Sequence, residues 1–478
     1  MKLSALAGET TIPDPDIAGL TADSRAVAPG FLFAALSGVN MDGARFIPDA
    51  EERGAAAVLA RPGVGANVPI VFDAEPRRRL AQMSARFYPR QPEFIAGVTG
   101  TNGKTSTTVF ARALWEMLGR RGGYLGTLGA GADGFERKVM HTTPEPVSLH
   151  RLLDEMAAAG VTNLAMEVSS HALDQHRADG VRFCAAAFTN ITQDHLDYHA
   201  DFDAYFRAKA RLFSDLVAKD GAAVVNADGE GAPEIIALAR SRGLKVLSTG
   251  AAGDDIRLTH IEARPDGLEM SVEADGAAYE IRMPLIGAFQ AENALLAAGL
   301  VAASGFAIAD ILPLLARLPG VPGRMQHAAN VSGAGVYVDY AHTPDAIGAS
   351  LAAIRPHATA RVIAIIGAGG DRDRKKRPLM GAAAAAAADI VIVTDDNPRT
   401  EDPGIIRRQV IAGCAGAIEI GDRAEAIARG VAMLRPGDVL LIAGKGHENG
   451  QIVGGETLPF DDVDVARQAV RNLKERGR

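Results

Sequence analysis

The run Gly97-Val98-Thr99-Gly100-Thr101-Asn102-Gly103-Lys104-Thr105-Ser106-Thr107-Thr108 constrains this chain more than any other segment. It follows Glu93-Phe94-Ile95-Ala96, which reads as a buried strand, and precedes Val109-Phe110-Ala111-Arg112-Ala113-Leu114, which reads as a helix. Glycines at such a junction let backbone N–H groups turn inward around phosphate oxygens, and the helix N-terminus adds partial positive charge. Lys104 is spaced to reach the outer phosphates, and Thr105 to give a hydroxyl to Mg²⁺. The strict P-loop pattern has a glycine where this chain has Val98. The order strand, loop, helix still favours nucleotide binding over an incidental Lys-Thr pair, so a nucleoside triphosphate is expected on residues 100–106.

At 478 residues the chain exceeds one ordinary core, and several domains are expected. A net charge of −8 argues against a nucleic-acid surface. The one basic cluster, Arg372 to Arg377, follows a glycine turn and suits an anion site instead. Cys184 and Cys414 are far apart without metal-ligand spacing, which points to a reducing compartment. The first residues lack the apolar core of a secretory signal, and the run Ala382 to Ala388 is too short to span a bilayer. A cytoplasmic protein without a membrane segment is expected.

Pro/Gly punctuation divides the chain. Residues 1–88 alternate short apolar runs with turns, as a small α/β domain, and end at Tyr88-Pro89-Arg90-Gln91-Pro92. Residues 89–322 alternate strands (Phe94–Val98, Asn163–Val168, Ala185–Thr189, Ala222–Asn226) with helices, as a mainly parallel sheet covered on both faces. Period-two alternation over Ile256–Met283 predicts an antiparallel patch within it. After Leu318-Pro319-Gly320-Val321-Pro322-Gly323, residues 323–478 read as a Rossmann-like domain with strands at Gly335–Asp339, Arg361–Ile366, Ile390–Thr394 and Val439–Ile442. Its glycines form no dinucleotide fingerprint. The expected fold class is therefore α/β, with a central P-loop domain among three.

Ligands of open α/β sheets sit beyond the carboxyl ends of strands. Glu167, in Met166-Glu167-Val168-Ser169-Ser170-His171, lies at such an end and could equally be a metal ligand or a surface residue. The next strand end carries Asp194, His195, Asp197 and His199. His195 is the preferred metal ligand, although spacing does not separate it from His199. In the last section four strand ends carry charged loops: Asp339-Tyr340-Ala341-His342, Gly367 to Asp373, Asp395-Asp396-Asn397-Pro398-Arg399, and Gly444-Lys445-Gly446-His447-Glu448. Arginines suit a carboxylate, and Glu448 or Asp396 suits an ammonium, so a zwitterion such as an amino acid is expected there.

These motifs together resemble the Mur ligases, the ATP-dependent amide-forming enzymes of peptidoglycan synthesis, over essentially the whole length. Thr99 to Thr105 looks like that family's variant P-loop, and Glu167 to His171, Asp339 to Pro344 and Gly444 to Glu448 also match. Asp396-Asn397-Pro398-Arg399 is similar to the signature of members that add meso-diaminopimelate rather than L-lysine. A guanidinium left unmet by lysine, which has no second carboxylate, would penalise it.

The resemblance implies ATP and Mg²⁺ as cofactors, UDP-MurNAc-L-Ala-D-Glu and meso-diaminopimelate as substrates, and a monomer. It places the UDP-sugar at Ser24 and the peptide arm at Thr142, Thr143, Ser169, Gln175 and Arg177. It places diaminopimelate at Arg372, Asp396, Asn397, Pro398, Arg399, Gly444 and Glu448. ATP would meet Gly100, Thr101, Asn102, Gly103, Lys104, Thr105, Ser106, Asn293, Arg324 and Asp339. Metal would sit on Thr105, Glu167, His195 and Lys209, with Lys104, Glu167, His195 and Lys209 catalytic. Lys209, which unaided reads as a surface helix lysine, matches the family's N6-carboxylysine. Departures are His141, where the family often has Asn, and Gln290, where Phe-Asn is common. The rivals are a lysine-adding relative, a folylpolyglutamate-synthetase-like ligase and a P-loop nucleotide switch.

Overall fold

Short apolar runs ending in polar loops form the central parallel strands of this computed structural model, which describes residues 1–9, 13–38, 41–192 and 198–475. Its backbone divides into two compact units, residues 1–255 with 296–307 and residues 256–295 with 308–478. No helix among the described residues is long and apolar enough to cross a membrane.

The first unit opens with a four-stranded parallel sheet of β1 (Gly19–Thr21), β2 (Phe31–Ala34), β3 (Ala57–Ala60) and β4 (Ile70–Phe72), in that order. A second sheet follows. Its strands are β5 (Phe94–Thr99), β6 (Gly122–Gly126), β7 (Gly129–Ala132), β8 (Phe135–Arg137), β9 (Asn163–Glu167), β10 (Phe183–Phe188), β11 (Val217–Asn226) and β12 (Lys245–Gly250). They are ordered β12-β11-β10-β5-β9-β6-β7-β8. All neighbours from β12 to β6 are parallel, and β7 and β8 fold back antiparallel. Parallel strands are buried on both faces, which is why Ile95, Ala96, Leu164, Ala165, Met166 and Ala185 to Phe188 are wholly buried and read as unbroken apolar runs. β5, carrying the glycine loop, lies between β10 and β9, so the loop opens at the middle of the sheet's carboxyl edge.

In the second unit β13 (Ile256–Arg264), β14 (Gly267–Ala274) and β15 (Ala277–Met283) form the antiparallel meander that alternation predicts. β16 (Gln326–Val331), β17 (Ala334–Asp339), β18 (Val362–Ile366), β19 (Ile390–Val393), β20 (Ile418–Glu419) and β21 (Val439–Ala443) form a sheet ordered β16-β17-β21-β18-β19-β20. Only β16 is antiparallel. The ends of β17, β18, β19 and β21 therefore share one edge, and with them all four charged loops. A separate hairpin, β22 (Gly450–Val453) and β23 (Glu456–Pro459), follows β21. The alanine run packs against this sheet from the helix Lys376–Ala387, as its small side chains allow.

Candidate active site

The glycine loop joins β5 directly to the helix Lys104–Met117. Gly100 and Gly103 take φ of +145° and +87°, conformations that favour glycine. A Cβ at Gly100 would also land on Thr189 Oγ1 and within 2.9 Å of Asn190 O. The loop is thus pinned to the end of β10, where Asn102 N donates to Asn190 Oδ1 at 3.1 Å and Thr101 N to Asn190 O at 2.9 Å. Ser106 is buried in the first helical turn. Lys104 Nζ donates to Gly100 O and Thr101 O, both at 2.9 Å.

Glu167 ends β9, one strand from the loop, and is buried. Its Oε1 accepts from Thr105 Oγ1 at 3.0 Å and from Thr127 N at 2.8 Å. A Cβ at Gly126 would collide with this carboxylate, so the glycine leaves room for it. Lys209, from the helix Phe202–Arg211, is 1% exposed; its Nζ donates to Gly100 O at 2.7 Å and lies over the Tyr205 ring at 4.5 Å. Tyr205 OH in turn meets Thr101 Oγ1 at 3.0 Å. His195 lies outside the described residues. His199 is buried, with its ring 5.3 Å from Tyr205 and 5.6 Å from His171.

The donors Thr105 Oγ1 and Glu167 are oxygens, which a hard cation prefers, and they stand at the mouth of a phosphate-cradling loop. The residues present therefore fit Mg²⁺. Among the described residues no group of three or more His, Cys, Asp or Glu side chains forms a metal site by itself. The remaining ligands would come from phosphate, water or a carboxylated Lys209.

A hydrogen-bonded path leads from Glu167 to the residues expected at the peptide arm. Thr127 Oγ1 meets Thr142 Oγ1 at 3.1 Å, and Thr143 Oγ1 donates to Glu167 O at 2.9 Å and accepts from Ser169 N at 3.1 Å. Ser169 caps the short helix that follows, and Arg177 Nη1 donates to Thr143 O at 3.0 Å. Arg177 also holds Gln175 Oε1 through Nε and Nη2.

Gln175 and Arg177 line a cleft of about 380 Å³, together with Asp23, Arg77, Glu145 and Arg151. Burial pulls the Arg177 guanidinium below its usual range, and Glu145 opposes this. Such a half-buried arginine suits an anion. Ser24 lies next to Asp23 and begins a turn that the Asp23 carboxylate caps through Arg25 N. Sequence reasoning missed Arg77 and Arg151. Arg77 opens the run Arg77-Arg78-Arg79 on one helix and Arg151 stands alone on another, and only their convergence on the cleft marks them.

The second unit gathers the residues expected to meet diaminopimelate. Asp396 and Asn397 are buried, and Asn397 Nδ2 donates to Glu448 Oε2 at 2.9 Å. Gly444 takes φ +122°, where a Cβ would stand 2.9 Å from Asp396 Oδ2. Pro398 is buried, with its carbonyl against Gly370. Arg399 Nη1 donates to Gly370 O at 2.8 Å, while Arg372 is exposed; Arg399 Nη1 and Arg372 Cγ would both stand near a Cβ at Gly369, at 2.8 and 3.7 Å.

Lys445, given no role from sequence, joins these groups. It is wholly buried and its Nζ donates to Asn397 Oδ1 at 2.9 Å and Gly450 O at 2.7 Å, with Asp396 at 3.5 Å and Glu448 at 3.7 Å. Its place between two glycines in Gly444-Lys445-Gly446 was the available signal. These loops bring two carboxylates to one buried ammonium and carry two arginines beside Gly369 and Gly370, a set that suits a zwitterion.

The three residues expected around ATP from this unit have local partners. Asp339 accepts from Met325 N at 2.7 Å, Ala341 N at 3.0 Å and Ser350 Oγ at 3.0 Å, while burial raises its carboxyl pKa. It thereby holds the segment carrying Arg324, whose guanidinium lies 4.9 Å over Tyr340. Asn293 Nδ2 donates to Gln290 Oε1 at 3.4 Å, and Gln290 Nε2 donates to Arg324 O at 3.2 Å.

Comparison with known proteins fits this geometry. Residues 16–88 match the Mur ligase family catalytic domain, 98–301 the Mur ligase middle domain, and 323–446 the Mur ligase glutamate ligase domain. The chain is 48% identical to a UDP-N-acetylmuramoyl-L-alanyl-D-glutamate--2,6-diaminopimelate ligase of Bradyrhizobium diazoefficiens, over 98% of this chain and 99% of the relative. It is 47% identical to the protein of that name from Caulobacter vibrioides, over 99% of both. A solved structure of a UDP-N-acetylmuramoyl-L-alanyl-D-glutamate--2,6-diaminopimelate ligase superposes with a TM-score of 0.73 at 33% identity, covering 96% of this chain and 95% of that one. The P-loop, the buried Glu167 and the three matched domains lead to one conclusion: this chain belongs to the Mur ligase family.

Proposed function

We propose that this chain joins meso-2,6-diaminopimelate to the D-glutamyl side-chain carboxylate of UDP-MurNAc-L-Ala-D-Glu, at the expense of ATP, in cytoplasmic peptidoglycan precursor synthesis. One observation carries the acceptor's identity: Asp396, Asn397 and Glu448 converge around Lys445, and the same loop carries Arg399 to Gly370 O, so both signs of charge are offered to an amino acid with a second carboxylate. We assign residues 1–88 to the UDP-sugar, 89–322 to ATP and 323–478 to the amino acid. The cleft containing Gln175 and Arg177 would take the UDP-sugar and its peptide.

A carboxylate is a poor electrophile and hydroxide a poor leaving group, so direct amide formation is slow. ATP would first phosphorylate the D-glutamyl carboxylate, giving an acyl phosphate and ADP. The neutral amine of diaminopimelate then adds to the acyl carbon, and phosphate leaves from the tetrahedral intermediate. Thr105 and Glu167 would hold Mg²⁺, which would neutralise charge at the phosphates. Lys104 serves the migrating phosphoryl group from the loop, and Gly100 to Ser106 cradle the chain of phosphates. Arg177, reaching both Thr143 and Gln175, would orient the peptide carboxylates. One chain carries all these groups, which fits action as a monomer.

The test is mass spectrometry of a mixture of protein, ATP, Mg²⁺, UDP-MurNAc-L-Ala-D-Glu and meso-diaminopimelate. The expected product is the UDP-MurNAc-tripeptide, formed one for one with ADP and phosphate. Release of ADP and phosphate without tripeptide overturns the ligase reading and favours a nucleotide switch.

A further inference from the structure

The acceptor loop is not held by its own sheet alone. Arg399 takes φ +50°, a left-handed conformation that costs a non-glycine residue energy and persists only where surroundings enforce it. The enforcement comes from β22. Arg399 N donates to Ile452 O at 3.0 Å, and Gly454 N donates to Arg399 O at 2.7 Å, so Arg399 pairs with Val453 as an isolated parallel bridge. Ile452 N donates to Asn397 Oδ1 at 2.9 Å, and Gln451 Nε2 donates to Asp396 O at 2.8 Å. The buried Lys445 ammonium closes the base through Gly450 O.

Among the described residues the hairpin's strand pairing is with itself and this loop, and β23 is exposed throughout. A lone two-stranded hairpin is barely stable in water, so loop and hairpin order one another. We propose that the hairpin β22–β23 is the template for acceptor selection, with Gln451 as a positioning residue. By fixing Asp396 O it sets the path of the loop, and with it the aim of Arg399 at the distal carboxylate of a diamino diacid. The assignment rests on the acceptor reading above.

Gln451 is half-buried, so its replacement leaves the sheet cores intact. Gln451→Leu removes the donor, and Gln451→Glu keeps the length but substitutes an acceptor. For both, KM for meso-diaminopimelate is expected to rise about tenfold and the preference over L-lysine to fall by a similar factor. KM for ATP and for UDP-MurNAc-L-Ala-D-Glu should stay within about twofold, because neither ligand depends on this loop. Thermal melting reports whether each variant is folded. Folded variants with unchanged acceptor KM and preference, or with all KM values raised alike, overturn the assignment while a wild-type chain that makes tripeptide preserves the acceptor reading. A wild-type chain that ignores meso-diaminopimelate overturns both.

Discussion

Lys104 Nζ and Lys209 Nζ donate to the same carbonyl oxygen, that of Gly100, at 2.9 and 2.7 Å. Two ammonium groups on one dipole repel each other, and the one on Lys209 is wholly buried. Addition of CO₂ to the neutral Lys209 amine, with loss of a proton, would replace the like charge by an anion beside Lys104. Activity is therefore expected to rise with bicarbonate and fall in CO₂-depleted buffer. Lys209→Met should lose about 10²-fold in kcat and all response to bicarbonate. Wild-type activity indifferent to bicarbonate, with an unmodified mass, would contradict carboxylation.

Glu167 offers charge as well as hydrogen bonds. Glu167→Gln keeps the shape facing Thr105 and Thr127 but removes the anion. It is expected to cost about 10²-fold in kcat and to raise the Mg²⁺ concentration for half-maximal rate. A Mg²⁺ titration at saturating ATP checks this, and a variant whose rate and Mg²⁺ dependence match wild type would remove Glu167 from the metal site.

Arg423 and Asp462 form an ion pair with both side chains fully buried. Arg423 also donates to Ala443 O at 3.1 Å and Asp395 O at 3.4 Å, tying together the ends of β21 and β19 that carry Gly444 and Asp396. Asp462→Asn should destabilise the fold by about 3–5 kcal/mol, because it leaves a guanidinium buried without its counter-charge. Replacing both residues with leucine should recover much of that loss in urea unfolding.

Acid should weaken the fold below about pH 6.5. Burial lowers His150 and His447 to about 4, from the usual 6.5. Between those values the unfolded chain binds protons that the folded chain refuses. Stability is therefore flat above about pH 6.5 and falls as pH drops towards 4, by up to about 1.4 kcal/mol per pH unit for each histidine. Glu401, held near 2 by Arg377, extends the loss to lower pH, because its carboxylate must be protonated below the ordinary range. His150→Gln should flatten the slope of melting temperature between pH 6.5 and 5.

The strands were legible because parallel sheets bury both faces and leave unbroken apolar runs, as at Ile95, Leu164 and Ile363 to Ile366. The strand-end motifs were legible because each follows directly on a buried apolar strand. What the sequence hid depends on partners far apart in the chain. Lys445 meets Asn397 from 48 residues away, and Gln451 meets Asp396 from 55. Neither contact has a local signature. Asp339 combines the two: its motif is legible, while the bonds its carboxylate accepts from Met325 N and Ala341 N are not. The glycine loop, read first as a nucleotide cradle, also proves to be the acceptor for both lysines.

Arg399 decides whether the last domain selects an acceptor with a distal carboxylate. The most direct measurement is kcat/KM for meso-diaminopimelate and for L-lysine, in wild type and in Arg399→Met. Wild type is expected to prefer meso-diaminopimelate by about 10²-fold or more, and the variant to lose most of that preference. A wild type that uses lysine equally well, or a variant that keeps the full preference, would contradict selection by Arg399.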